Sequence, residues 1–231
     1  MPIAIGDIHG CLLSLERLVS RLPRNEELIF LGDYVDRGSC SAQVLDYLLE
    51  LERNRSCRFL KGNHEQMMMD AIHHEERIQT WLTNGGRETL LSFWQEPADW
   101  MRLPRREPPL ARFVSFHERL LLYHEDEYAI YVHAGLDPSI ADIRDQKTHT
   151  LLWERERFIR NPERWQGKPV VFGHTPTRRM GIPADGIFKK GKLVGVDTGC
   201  VYGGRLTGYD TATGRVYQVP FEQDEMHWKR W

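Results

Sequence analysis

Short apolar runs stopped by glycine punctuate the first third of the chain. Ile3-Ala4-Ile5 precedes Gly6, Leu28-Ile29-Phe30-Leu31 precedes Gly32, and Phe59-Leu60 leads through Lys61 to Gly62. Runs of this length bounded by turn residues predict buried strands. Between them the apolar period changes to that of a helix. Leu12, Leu15, Leu18, Val19 and Leu22 fall on one helical face, and Val44, Leu45, Leu48, Leu49 and Leu51 on another. Alternating strands and helices predict βαβ units and a parallel sheet. From Glu65 to about Arg106 the pattern is helical and aromatic, with Trp81, Trp94 and Trp100 spread through it. Strands are expected again at Leu120 to Tyr123 and Tyr128 to Val132, with Glu125-Asp126-Glu127 as the turn. Further strands are expected at Val170 to Phe172, Leu193 to Val196, Leu206 to Tyr209 and Val216 to Val219. Lys189 to Lys192 and Thr213-Gly214 read as hairpin turns.

Composition narrows the class. The 231 residues suffice for a sizeable core, and 41% hydrophobic with 28% charged residues is an ordinary globular balance. A net charge of −2 argues against a nucleic-acid partner. Cys11, Cys40, Cys57 and Cys200 stand at no C-x-x-C spacing, which argues against a zinc knuckle or a thioredoxin-type motif. No run approaches the ~18 apolar residues of a membrane span. The N-terminus lacks the basic and apolar regions of a signal peptide. The expectation is a cytoplasmic protein, with no membrane partner and no linker dividing it into domains.

The chemistry lies at strand ends. Asp7, Asp33, Asn63, His133 and His174 each follow an apolar run directly or within two residues. Ligand sites in α/β sheets gather beyond the carboxyl ends of strands. Asp7 and His9 are two apart, so in extended backbone both side chains point the same way. Gly32-Asp33-Tyr34-Val35-Asp36-Arg37-Gly38 supplies two carboxylates and a guanidinium that can fork onto phosphate. Gly62-Asn63-His64-Glu65 adds a neutral carbonyl oxygen and a proton carrier. His133 and His174 complete the series. Each motif alone is weak, since a lone histidine at a strand end is usually structural. Their order along one chain is what carries weight.

The series Gly6-Asp7-Ile8-His9-Gly10, Gly32 to Gly38, Gly62 to Glu65, His133-Ala134-Gly135 and Gly173-His174-Thr175 resembles the calcineurin-like metallophosphoesterase superfamily, in its phosphoprotein phosphatase branch. Gly62 to Met68, Asn84-Gly85-Gly86, Trp153 to Arg157 and Asp197-Thr198-Gly199 are similar to bacteriophage lambda-type and bacterial Ser/Thr/Tyr protein phosphatases. The symmetrical diadenosine tetraphosphate hydrolases share much of the pattern. The resemblance implies an α/β fold of the metallo-dependent phosphatase type, a central two-sheet sandwich flanked by helices in four layers. It implies a single domain over residues 1–231, with about 65–119 as a helical insertion forming the substrate rim. It also implies two divalent metal ions. Asp7, His9 and Asp33 would hold the first, and Asp33 would bridge to a second completed by Asn63, His133 and His174. Oxygen and nitrogen donors without thiolate suit manganese, and also iron, zinc or cobalt.

The implied reaction is in-line attack on phosphorus by metal-activated hydroxide. His64 would act as general acid, oriented by Asp36, and Arg37 and Arg155 would clamp the phosphate. Arg157 is the rival for the second clamp. Three functions share this core: a Ser/Thr, or Tyr, protein phosphatase; a hydrolase splitting diadenosine tetraphosphate into two ADP; and an inactive phospho-binding module. The presence of all six ligands with His64, Asp36 and Arg37 argues against the third. The compact chain favours the first. The tryptophans of the helical segment could stack an adenine, although core packing is the commoner role. The Asp197 to Arg205 loop resembles both enzyme groups. Met67-Met68-Met69 reads as core, and His73-His74 as solvated.

Overall fold

In a computed structural model, residues 1–94, 108–183 and 185–223 are described. Trp100, the basic run Arg102 to Arg106 and most of the C-terminal tail lie outside the described residues.

The chain begins β1 (Ile3–Ile5), α1 (Leu12–Arg21), β2 (Leu28–Phe30), α2 (Ser41–Asn54), β3 (Cys57–Phe59) and α3 (Asn63–His73). β1 pairs parallel with β2, and β2 with β3, as the alternation predicts. Short helices α4 (Ile78–Trp81), α5 (Arg87–Phe93) and α6 (Pro108–His117) follow. Then come β4 (Tyr123–Glu125), β5 (Ile130–Val132), α7 (Thr148–Trp153), α8 (Glu156–Arg160), β6 (Val170–Phe172), β7 (Phe188–Lys190), β8 (Leu193–Gly195), β9 (Arg205–Asp210) and β10 (Val216–Pro220). Two five-stranded sheets result, ordered β10-β9-β1-β2-β3 and β4-β5-β6-β8-β7. Hairpins form at both expected turns, β7 to β8 and β9 to β10.

The period of two explains how the layers separate. Ala4, Ile29, Leu31, Tyr131, Val171 and Val196 form one buried cluster between the sheets. Their neighbours Ile3, Ile5, Leu28 and Phe30 face outward and pack with Leu15, Leu18, Val44 and Leu48 of α1 and α2. On the second sheet Ile130, Val132, Val170 and Phe172 pack outward with Leu151 and Phe158. Adjacent side chains of a strand point to opposite faces, so three-residue strands buried on both sides separate three cores. The order is helices, sheet, sheet, helices. Met67, Met68, Met69, Trp81, Leu90 and Phe113 share the first core. His73 and His74 are exposed. No helix among the described residues is long and apolar enough to cross a membrane.

Two boundaries differ from expectation. Leu120 and Leu121 are not in β4. Leu120 N–H donates to His117 O at 3.2 Å, closing the turn after α6, and Leu121 bridges Leu60 in parallel. β5 starts at Ile130 rather than Tyr128, because the Asp126 carboxylate takes the N–H groups of Tyr128 (2.7 Å) and Ala129 (2.9 Å). A side chain that satisfies those donors locally keeps them from the ladder.

His117 is buried and its Nε2 has no hydrogen-bond partner. Burial, then the charges of Lys61 and His73, pushes it down to about 4. A folded value below the unfolded one means that the unfolded chain takes up the proton first as pH falls. This contribution is intact above the ordinary histidine value of 6.5 and is lost as pH falls from there towards about 4. Urea titrations at a series of pH values across that window should show a shallower fall in stability for His117→Leu than for the natural chain.

Candidate metal centre

Every predicted site residue except Arg155, which lies between α7 and α8, follows a parallel strand. β1 delivers Asp7 and His9, β2 delivers Asp33, Asp36 and Arg37, and β3 delivers Asn63 and His64. On the second sheet, β5 delivers His133 and β6 delivers His174. Asp7, His9, Asp33, Asp36, Asn63, His64, His133 and His174 are all at most 4% exposed.

The structure brings them together as two groups sharing Asp33. One contains His9, Asp33 and His64, and the other Asp33, His133 and His174. His9 Nε2 lies 3.4 Å from Asp33 Oδ2, and His133 Nε2 lies 3.4 Å from Asp33 Oδ1. Asp7 is in neither group. Its carboxylate accepts the His174 N–H at 3.0 and 3.1 Å and is hydrogen-bonded to Asp197. The contact requires Gly173, because a Cβ there would sit 2.2 Å from Asp7 Oδ1.

Tautomers follow from the outer contacts. His9 Nδ1 faces Val35 O and His133 Nδ1 faces Leu31 O, each at 2.8 Å. A carbonyl accepts only, so both Nδ1 atoms carry hydrogen and both neutral rings turn an Nε2 lone pair inward. His133 Nε2 then lies 2.9 Å from Asn63 Oδ1, which is also an acceptor, and 3.2 Å from His174 Nδ1. The buried His174 Nε2 has no partner. Burial drives His133 down to about 3, and drives His9 and His174 well below the usual histidine value. Burial pushes the Asp7 and Asp33 carboxyls well up; next in order, Asp197 raises Asp7 and Glu65 raises Asp33. Neutral imidazoles, an amide oxygen and crowded carboxylates together lack a positive charge. A divalent cation supplies one, so the donor set fits a metal.

Beside this cluster, His64 Nδ1 lies 2.7 Å from Asp36 Oδ2. Trp81 Nε1–H donates to both Asp36 oxygens (2.9 and 3.0 Å), and Thr89 Oγ1–H donates to Oδ1 (2.7 Å). Burial pushes Asp36 up to about 7, while Thr89 and Trp81 pull it down. Three donors on two oxygens assign it as the carboxylate. His64 therefore turns Nε2 towards the cluster, 3.9 Å from Asp33 Oδ2. Arg37 donates to His9 Nε2, and its N–H donates to Gly85 O at 3.0 Å. Arg155 donates from Nη1 to His174 O (3.0 Å) and Thr175 Oγ1 (3.3 Å). Arg157 instead pairs with Asp137 at 3.1 Å on the exposed side.

Sequence reasoning gave no role to Thr89 or Glu65, took Asp197 only as part of a family motif, and read Trp81 as core packing or an adenine stack, not as a partner of Asp36. Glu65 is fully buried and accepts four backbone N–H groups: Asp33 and Gly62 at 2.9 Å, Tyr34 at 2.8 Å and Val35 at 3.3 Å. The signal for it was its place three residues after Gly62, where a helix-initiating glutamate reaches back to free amides. Trp81 and Thr89 flank Asn84-Gly85-Gly86 symmetrically, which marks one turn wrapped around a single carboxylate. Gly85 has φ +105°, and a Cβ there would meet Arg37 N at 2.6 Å.

Fold and site define a calcineurin-like phosphoesterase. The model of that family matches residues 3–187, and the chain belongs to it. Among its relatives is a serine/threonine-protein phosphatase 1 from Salmonella typhimurium, 32% identical, with 88% of each chain covered. Another is a bis(5'-nucleosyl)-tetraphosphatase PrpE [asymmetrical] from Oceanobacillus iheyensis, 25% identical, covering 89% of this chain and 86% of that one. In fold the chain is similar to the cold-active protein-tyrosine phosphatase of a Shewanella species (TM-score 0.62, 14% identity, 96% and 80% covered).

Replacing Glu65 by Gln would set an amide NH₂ among backbone donors. Glu65→Gln should lower unfolding stability by about 1–3 kcal/mol, the cost of leaving buried donors unmet. Denaturant titration measures this, and an unchanged midpoint would remove the clamp from the argument.

Proposed function

We propose that this protein hydrolyses phosphate monoesters at a two-metal site and that its substrates are phosphoproteins bearing phosphoserine or phosphothreonine, with phosphotyrosine as a further substrate. The observation that carries the reaction type is the His64–Asp36 pair facing the acceptor cluster, with Arg37 and Arg155 beside it. The 32% identical relative named a serine/threonine-protein phosphatase supports the substrate.

Asp7, His9 and Asp33 would hold one divalent ion, and Asp33, Asn63, His133 and His174 the other. Manganese, iron, zinc and cobalt suit these donors. When bound, the ions supply Lewis-acid charge and a water acidic enough to be a nucleophile near neutral pH. The chain's own groups do the rest. Arg37 and Arg155 present cationic donors to the phosphate oxygens and counter the charge gathered there. His64 offers the proton at Nε2 to the departing ester oxygen, because Asp36 holds hydrogen on Nδ1. Trp81 and Thr89 fix Asp36 and so aim the imidazole. The segment 65–119 would form the rim that meets the substrate.

A second reading is a dinucleoside tetraphosphate hydrolase, favoured by the relatives named for that activity. Their names specify asymmetrical cleavage, which gives AMP and ATP, whereas symmetrical cleavage gives two ADP. Manganese-loaded protein offered phosphopeptides and diadenosine tetraphosphate at equal concentration should release mainly inorganic phosphate from the peptides. Dominant AMP with ATP, or ADP, would replace the proposal by the second reading. His64→Ala should keep its metal content and lose roughly 10²-fold or more in turnover. The loss should be greatest for alkyl esters, whose leaving oxygen most needs a proton. Unchanged turnover would remove His64 from the mechanism.

A further inference from the structure

Beside the metal centre runs a trough that the hydrolytic chemistry does not use. Its near end encloses about 60 Å³ between Pro176, Arg178, Thr198, Gly199 and Tyr202. Past Gly203 and Gly204, which line both parts, it widens into about 320 Å³ beside Asp185, Arg205 and Pro220. It abuts the site: Pro176 is two residues beyond His174, and Thr198 follows Asp197. The Arg37 guanidinium lies 5.6 Å from the centroid of the Tyr202 ring.

Three features limit what could lie there. The first is charge. Arg178 and Arg179 are exposed and form no ion pair among the described residues. Arg179 is close enough to Arg155 for their charges to interact. Arg178 lines the near end, Arg179 is its neighbour in the chain, and Arg37 meets the Tyr202 ring, so cationic charge beyond the two phosphate clamps borders this end. The second is the floor: Gly203 and Gly204 bring bare backbone to the surface. The third is shape. The near end is small and the part past Gly203 and Gly204 is several times larger, so a ligand using both would lie across the two glycines. Tyr202, 48% exposed, offers an aromatic wall.

We propose that this trough binds the peptide flanking the phosphorylated residue and selects for acidic side chains next to it, through Arg178 and Arg179. The inference rests on the phosphoprotein reading above. The peptide would lie over Gly203-Gly204, with an Asp or Glu beside the phosphoresidue meeting the two guanidinium groups. The far end carries both Asp185 and Arg205, so the preference fades with distance along the peptide.

The test compares two phosphoserine peptides that differ only in flanking residues, Asp in one and Lys in the other, on the metal-loaded protein. The natural chain should prefer the Asp peptide by at least about tenfold in kcat/KM, mostly through KM. Arg178→Glu with Arg179→Glu should bring the ratio to about one or below, and Arg178→Ala should give an intermediate value. The ratio compares two substrates on one preparation, so partial loss of fold or metal cancels. A ratio near one in the natural chain, or a preference that survives the charge reversal, overturns the inference and leaves the phosphoprotein reading standing. If neither peptide is hydrolysed while diadenosine tetraphosphate is, both fail. A higher KM for that nucleotide in the Glu variants would then give the trough to a nucleotide.

Discussion

The Glu65 carboxylate is the contact on which the site depends. Its two oxygens gather the amides of Asp33, Tyr34, Val35 and Gly62, so one buried side chain fixes the loops after β2 and β3 relative to each other. Those loops need fixing. His9, Asp33, Asp36, Arg37 and His174 all have positive φ, between 46° and 72°. Among the described residues no other non-glycine adopts that conformation, which costs of order 1–3 kcal/mol where it is forced. Such backbone persists only where its surroundings over-determine it. Glu65 does this for Asp33, and Ser41, Thr89 and Gly85 do it for Asp36 and Arg37.

Electrostatics points the same way. Burial alone would neutralise every carboxyl and imidazole in the cluster. The His9 and His133 rings turn lone pairs inward because the Val35 and Leu31 carbonyls accept from their Nδ1–H groups, whereas Asp36 is held by donors, Trp81 and Thr89. The chain has separated two tasks. One set of atoms is left short of positive charge where a cation fits, and another is saturated so that a proton donor keeps one orientation.

Much of this was legible in the sequence. Short apolar runs marked β1, β2, β5, β6 and β8, with glycine directly after those of β1, β2 and β6, and the ligand-type residues followed them because strand ends carry the site. What escaped was held by contacts with no local signature. Asp126 shortened β5 by capping two amides, and the run Leu120-Leu121 closed a helix and bridged Leu60 instead of opening β4. Trp81 read as core, and it is buried, yet its indole N–H serves a carboxylate 45 positions earlier. Period and composition register where an aromatic ring goes, not what its single polar atom meets. Arg155 and Arg157 were near-equivalent on paper. Only the turn of the backbone before α8 separates them, sending one to the His174 carbonyl and the other to Asp137.

The donors are divided between the two sheets: Asp33 and Asn63 stand on one, His133 and His174 on the other. The His133 ring already reaches across to Leu31, 102 positions away. An ion held by both sides would act as a clasp closing a loop of that length, in the manner of a disulfide between distant cysteines. Long loops are where such a clasp removes most freedom from the unfolded chain. The same ions that serve the reaction would thus hold the two halves of the sandwich in register, and a reagent that strips them would loosen the body of the protein as well as silence its chemistry.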